Sequence, residues 1–380
     1  MNLKDPHELM KYKESLKKFI KYELDPISDV VEKTEALTDE IFQKIRDKGL
    51  FGLTIPEKYG GKGLKHSDFC LILEEVAKAY AFIRLLVHQM NGICPKCILD
   101  YGTEEQKKRY LPPIAEGRHI AAFALTEPNT GTGADIKLMA VKEHDKFTLN
   151  GKKHLITYPH ADIIITFAKT HESNEEKGIT AFIVEKGIPG FHVVDMPETI
   201  GCRGPRHGEL IFKDCLVPQK NVLGKVGNGL TVALDALDIS RIQIAVAALG
   251  LAEKLLELSI DFAKKRITFG KPISERQATQ WKIAEMATNI YASRTMTYDA
   301  LAKYDQGKKI SREAAMAKLF ASQMVCKVAD EALQIHGGIG YTAAYPVERI
   351  YRDVRSMRLE EGTDDIQKLV ISRSFLRNEK

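Results

Sequence analysis

The chain has 380 residues, 44% of them hydrophobic and 28% charged, which suits a soluble globular protein with a large core and two or three domains. Its formal charge is only +5, and Lys and Arg are mixed with acids along the chain rather than gathered in a run, which argues against general nucleic-acid binding. The longest apolar stretch, 242–252, is about half of what a bilayer span needs, so no membrane segment is expected.

Lys4 and Asp5 interrupt the opening MNLKDPHELMKYKESLKKF too early for a secretory h-region. Six scattered cysteines suggest no disulfide framework, so a reducing, cytoplasmic setting is expected. To about residue 118 apolar residues recur three and four apart, the helical period. In DEIFQKIRDKGLFGL, Asp39 is the expected N-cap and Gly49 the C-cap. IPEKYGGKGL (55–64) breaks the helices with proline and glycines, and YGTEEQKKRYLPPIAEG ends the zone. Cys94-Pro95-Lys96-Cys97 lies in a helical run without flanking strands. With no second CxxC to complete a metal site, it reads as buried packing, and no metal is expected.

From 119 to 226 short β-branched and aromatic runs take over: KFTL, HLIT, DIIITFA, ITAFIVE, GFHVVD and ELIF. Asn150-Gly151, between the first two, predicts a hairpin, and the spacing predicts a small sandwich or barrel. From 227 to 380 long helical patterns return, notably ERQATQWKIAEMATNIYASRTMTYDALAKY and SREAAMAKLFASQMVCKVADEALQIH, which favour an antiparallel bundle. The expectation is an α+β chain with domains at 1–118, 119–226 and 227–380.

Three segments carry candidate chemistry. In Leu125-Thr126-Glu127-Pro128-Asn129-Thr130-Gly131-Thr132-Gly133, hydroxyls and glycines can bring N–H groups against a planar heteroaromatic or a phosphate, or simply form a polar turn. Thr157, ending HLIT, is equally open. Arg266-Ile267-Thr268-Phe269-Gly270 offers a guanidinium for a pyrophosphate and a ring for an adenine, or a surface arginine before a turn. Near the C-terminus, QIHGGIGY precedes YPVERIYRDVR and LEEGTDDIQKLVISR. Its diglycine allows a close ligand approach or caps a helix. Glu348–Arg349 and Arg352–Asp353 read as structural ion pairs. Glu360 and Glu361 precede Gly362-Thr363, where a turn can hold a carboxylate whose pKa is raised by desolvation, a base for a weakly acidic C–H.

Together TEPNTGTG, RITFGKPI, QIHGGIGYTAAYPVERIYRD and EEGTDDIQ, in this order and spacing, resemble the acyl-CoA dehydrogenase family, and IPEKYGG and EEQKKRYLP fit its N-terminal part. The resemblance implies an N-terminal helical domain, a middle β-barrel or sandwich domain and a C-terminal four-helix bundle. It implies FAD between the last two, and a homotetramer. By position, Phe123, Leu125, Thr126 and Thr157 are implied to contact the flavin. Arg266, Thr268, Phe269, Gln334 and Gly338 of a neighbour would meet the adenosine-diphosphate half, with Thr363 and Asp365 near the flavin. Thr132, Asp238, Arg241 and Arg373 match positions that contact CoA or order the pocket. Some members carry the catalytic carboxylate before the arginine of the earlier helix, where this chain has Ser240. Most carry it before Gly-Thr, where this chain has Glu361.

The implied reaction takes an acyl-CoA to a trans-2-enoyl-CoA: Glu361 removes the α-proton, the β-hydride goes to flavin N5, and a backbone N–H, that of Glu361, polarises the thioester carbonyl. Departures cluster at the flavin edge. The segment 131–133 and the loop 157–160 are each one residue short. Leu155 stands where tryptophan is expected, and Trp281 is the only tryptophan. They bear on the electron acceptor, by family default an electron-transferring flavoprotein. Glu360 replaces a common aromatic and is expected to point to solvent. Alternatives on the same fold are a dehydrogenase of acyl or aminoacyl groups on an acyl-carrier protein, a flavin monooxygenase, and a non-catalytic thioester-binding protein.

Overall fold

The computed structural model describes residues 2–376 apart from 35–37, 132, 134, 173–174 and 205. The first zone is helical: α1 (Pro6–Phe19), α2 (Ser28–Thr34), α3 (Asp39–Asp47), α4 (His66–Val76), α5 (Ala81–Asn91), α6 (Ile93–Tyr101) and α7 (Glu104–Ala115). Helix α3 is capped one residue earlier than expected, by Thr38, whose hydroxyl accepts from Ile41 N, and Asp39 becomes the first helical residue. A reciprocal capping box, Thr103 with Gln106, starts α7. Helices α5 and α6 are one apolar run bent at Gly92. A Cβ there would fall 2.1 Å from the Gln243 side-chain oxygen, so glycine lets this corner press against the C-terminal domain. Cys94 and Cys97 are free thiols buried in α6.

The middle zone holds β1 (Ala121–Ala124), β2 (Met139–Glu143), β3 (Lys146–Thr157), β4 (Ile163–Glu172), β5 (Glu175–Glu185), β6 (Phe191–Asp195), β7 (His207–Pro218) and β8 (Val222–Leu223). They form one sheet in the order β6-β7-β3-β2-β4-β5-β8, with β1 parallel to β4. Strands β1 and β2 pair with successive halves of β4, so the segment 125–138 between them bulges off the sheet. Asn150-Gly151 makes no hairpin: KFTL and HLIT belong to the single strand β3, and the pair sits at a bulge against β7, where the Asn150 side chain bonds both Asp214 N and its carboxylate. The hairpin turn falls at His144-Asp145 instead, joining β2 to β3. The sheet partner overrides the dipeptide's turn preference.

The last zone begins with α8 (Gly229–Lys265), whose segment from Ile239 to Ala252 is buried throughout, and a small hairpin, β9 (Ile267–Thr268) with β10 (Lys271–Pro272). Helices α9 (Gln277–Asp305), α10 (Ser311–His336), α11 (Val347–Val354) and α12 (Asp364–Leu376) follow. Helices α9 and α10 pack along α8, and α12 against α10. Arg352 pairs with Glu348 at 2.9 Å and Glu32 at 2.6 Å, whereas Asp353 accepts from Cys202 N, so the expected Arg352–Asp353 pairing gives way to a link between zones. Among the described residues, no helix is long and apolar enough to cross a membrane.

Candidate active site

The loop from α11 to α12 makes an unusual turn. Glu361 has φ +54° and Gly362 φ +97°, two consecutive left-handed residues, of which only the second is free of Cβ strain. Three side chains hold it. Buried Lys318 of α10 donates to Gly362 O at 2.8 Å, and buried Gln367 donates to Glu361 O at 3.0 Å and Gly362 O at 2.9 Å. Arg241 of α8 reaches Glu361 O at 3.4 Å. Burial lowers the Lys318 pKa to about 8 against the pull of the nearby carboxylates.

The turn fixes where the carboxyl of Glu361 goes. Ser240 Oγ donates to its Oε1 at 2.9 Å. Burial raises the Glu361 pKa, and the neighbouring charge of Glu360 adds to this. The Ser240 bond, Arg241 and Lys318 oppose it. Glu360 does not point to solvent. Its carboxylate receives Arg84 Nη1 at 3.1 Å, Arg84 Nη2 at 3.2 Å and Ser356 Oγ at 2.5 Å. Burial alone would raise its pKa, but the Arg84 guanidinium outweighs burial and holds it at about 2. Arg84 is only 1% exposed and needs this counter-charge. The two neighbouring carboxyls therefore shift in opposite directions, Glu360 down and Glu361 up.

Of the expected substrate-side residues, Asp238 and Arg241 join this cluster, paired at 3.0 Å, with Ser311 also bonded to Asp238. Arg373 lies on the exposed last turn of α12, about 14 Å along that helix from its start. Thr132 lies outside the described residues.

The expected flavin residues form two groups. Phe123 lies in β1 and packs on Phe167, while Leu125 and Thr126 follow that strand and Thr157 ends β3. The backbone joins them: His154 N donates to Thr126 O at 2.9 Å. Beneath, fully buried Lys153 donates to Glu127 at 2.7 Å and to Leu125 O at 3.1 Å, and the Glu127 carboxylate takes Lys137 N and Leu138 N. Leu155, at φ +56°, leaves half its side chain exposed beside this group.

Arg266, Thr268 and Phe269 sit at the end of α8 and on the β9–β10 hairpin, and Gln334 and Gly338 at the end of α10. These two ends meet through Phe262 stacked on His336 at 4.4 Å. Thr363 caps α12, and Asp365 is exposed and pairs with Lys368.

The residues present suit FAD. Phe269 is 97% exposed although held at φ +46°, open space surrounds Gly337 and Gly338, and buried His336 Nε2 has no hydrogen-bond partner among the described residues. An aromatic, an arginine, an amide and open backbone are what an adenosine-diphosphate moiety needs, and the hydroxyls of Thr126 and Thr157 suit a polar ring edge. Lys318, Gln367, Arg84 and Lys153 surround these residues and were missed by sequence reasoning. Arg84 within the apolar run AFIRLLV was the available signal, because a charge there is buried only if paired.

Family models for the acyl-CoA dehydrogenase N-terminal, middle and C-terminal domains match residues 6–118, 122–215 and 227–376. A Bacillus subtilis acyl-CoA dehydrogenase is 40% identical over 371 residues, 97% of this chain and 98% of the relative. A chain of the solved structure described as the electron transferring flavoprotein of Acidaminococcus fermentans superimposes with TM-score 0.93 at 40% identity, covering 97% of this chain and 98% of its own. An acyl-CoA dehydrogenase complexed with FAD from Bacillus anthracis gives TM-score 0.91 at 32% identity, covering 97% of this chain and 67% of its own. The chain belongs to the acyl-CoA dehydrogenase family and is one of its FAD-dependent oxidoreductases.

Proposed function

We propose that this protein oxidises an acyl-CoA to the trans-2-enoyl-CoA, with Glu361 removing the α-proton. The observation that carries the reading is the divergence of two neighbouring carboxyls: Glu361 is held ready to accept a proton while Arg84 keeps Glu360 ionised. Bound FAD supplies the acceptor for the β-hydride. Glu361 takes the α-proton onto its carboxylate, and its backbone N–H, fixed by the braced turn, polarises the thioester carbonyl. The Asp238–Arg241 pair orders the wall beside it. Thr126, Thr157 and their neighbours would hold the flavin end, and Arg266, Thr268, Phe269, Gln334 and Gly338 of a second subunit the adenosine-diphosphate end, within a homotetramer. The relative named an acyl-CoA dehydrogenase supports the substrate class, and the chain from the electron transferring flavoprotein structure supports such a flavoprotein as acceptor. Anaerobic titration of the purified protein with a panel of acyl-CoA thioesters tests this. Bleaching of the flavin by at least one is expected, and a flavin left oxidised by every one contradicts the reading.

A further inference from the structure

Beyond the base itself, a second hydrogen bond continues inward. Ser240 Oγ, 2.9 Å from the Glu361 carboxyl, lies 2.9 Å from His88 Nε2 on the other side. Both are interior residues, Ser240 fully buried on α8 and His88 5% exposed on α5. From this geometry we propose that His88 is a positioning residue, acting on the catalytic base through Ser240; the inference rests on Glu361 being that base.

Hydrogen-bond valence fixes the direction of the chain. An ionised carboxylate only accepts, so Ser240 gives its single hydroxyl hydrogen to Glu361. The serine oxygen then accepts from His88, which must carry its hydrogen on Nε2. Burial keeps that imidazole neutral, lowering its pKa to about 4, with the Arg84 charge adding to the effect. Two donors in series therefore point at the carboxylate and favour its ionised form.

The other groups facing Glu361 are Glu360 on its own turn, Arg241 on α8, Lys318 on α10, and the thiols Cys94 and Cys97 on α6. Among the described residues, Ser240 is the side chain that hydrogen-bonds the Glu361 carboxyl, and His88 is what holds the serine hydroxyl in that orientation. Serine at 240 is short enough to bridge the two.

The test is the pH dependence of single-turnover flavin reduction by an acyl-CoA in FAD-loaded variants. Losing a donor to the carboxylate raises the Glu361 pKa further, so the acid limb of the profile should move up by about one pH unit in Ser240→Ala, and in the same direction in His88→Leu. Ser240→Thr and His88→Gln keep a donor and should return the limb to its parent position. His88→Leu added to Ser240→Ala should move it no further, because the histidine acts only through the serine. An unmoved limb in Ser240→Ala overturns the proposal, as does a histidine effect that persists without the hydroxyl. If Ser240→Ala does not hold FAD, Ser240→Cys, a much weaker donor, replaces it with the same expected direction and the same contradicting result. Glu361→Gln, run alongside, separates the two readings: parent-rate reduction there removes the base assignment, whereas slow reduction with an unmoved Ser240→Ala limb removes only the relay.

Discussion

Glu360 and Glu361 are adjacent in sequence and opposite in surroundings, and the difference lies with one buried cation. Arg84 is ion-paired to Glu360 at 3.1 Å. Replacing Glu360 with glutamine leaves that guanidinium buried against a neutral amide, which should cost roughly 3 kcal/mol and lower the thermal unfolding midpoint. Calorimetry checks it, and an unchanged midpoint would show that Arg84 finds another partner. The pair also makes stability depend on pH in one direction. The folded Glu360 pKa of about 2 lies below the unfolded value near 4.3, so its contribution is complete above about pH 4.3 and fades as pH falls toward 2. Acid unfolding of Glu360→Gln should lack that part of the dependence. At this scale the residues alone put both carboxyls at a turn before Gly362-Thr363, and the family resemblance singled out Glu361. Glu360 was misread as solvent-facing, because the arginine that draws it inward is 276 residues away in the chain.

At the segment after β1, a buried ionic brace fixes the backbone. Lys153 of β3 ties the segment after β1 to the sheet through Glu127, both at 3% side-chain exposure or less. Lys153→Met should therefore leave a buried carboxylate short of its counter-charge, costing about 3–5 kcal/mol, and should loosen FAD along with Thr126. Denaturant unfolding and equilibrium dialysis of FAD read the two effects. Loss of stability with unchanged FAD retention would detach this brace from the flavin site. The zones and long helices were legible because their periods of two and 3.6 persist over many residues. Local turn chemistry was less so: Asn150-Gly151 has every mark of a hairpin but is overruled by continuous pairing of β3 with β7. Thr38 outcompetes Asp39 as a cap because its hydroxyl reaches Ile41 N.

On the scale of the molecule, the groups assigned to FAD do not converge on one place. Thr126 follows β1 and Thr157 ends β3, whereas Arg266 and Phe269 project from the hairpin between α8 and α9. An exposed phenylalanine held in a left-handed conformation is costly unless something covers it, which fits a site completed by a neighbouring subunit. Arg266→Ala should weaken FAD binding about tenfold or more, the scale of a charge-assisted pair, and lower oligomer stability in parallel. Flavin release on dilution and sedimentation velocity measure this, and unchanged values for both would return Arg266 to a surface role. In the proposed two-subunit site the distance of these residues from Glu361 would be set by assembly, which the sequence of one chain does not display.

Glu361 as the proton acceptor is tested most directly by stopped-flow reduction of Glu361→Gln. Glutamine keeps the size of the side chain and the braced turn, so FAD and substrate analogues should still bind. Flavin reduction by an acyl-CoA that bleaches the parent should slow by about two to four orders of magnitude. Reduction of the Glu361→Gln flavin at the parent rate would contradict the account.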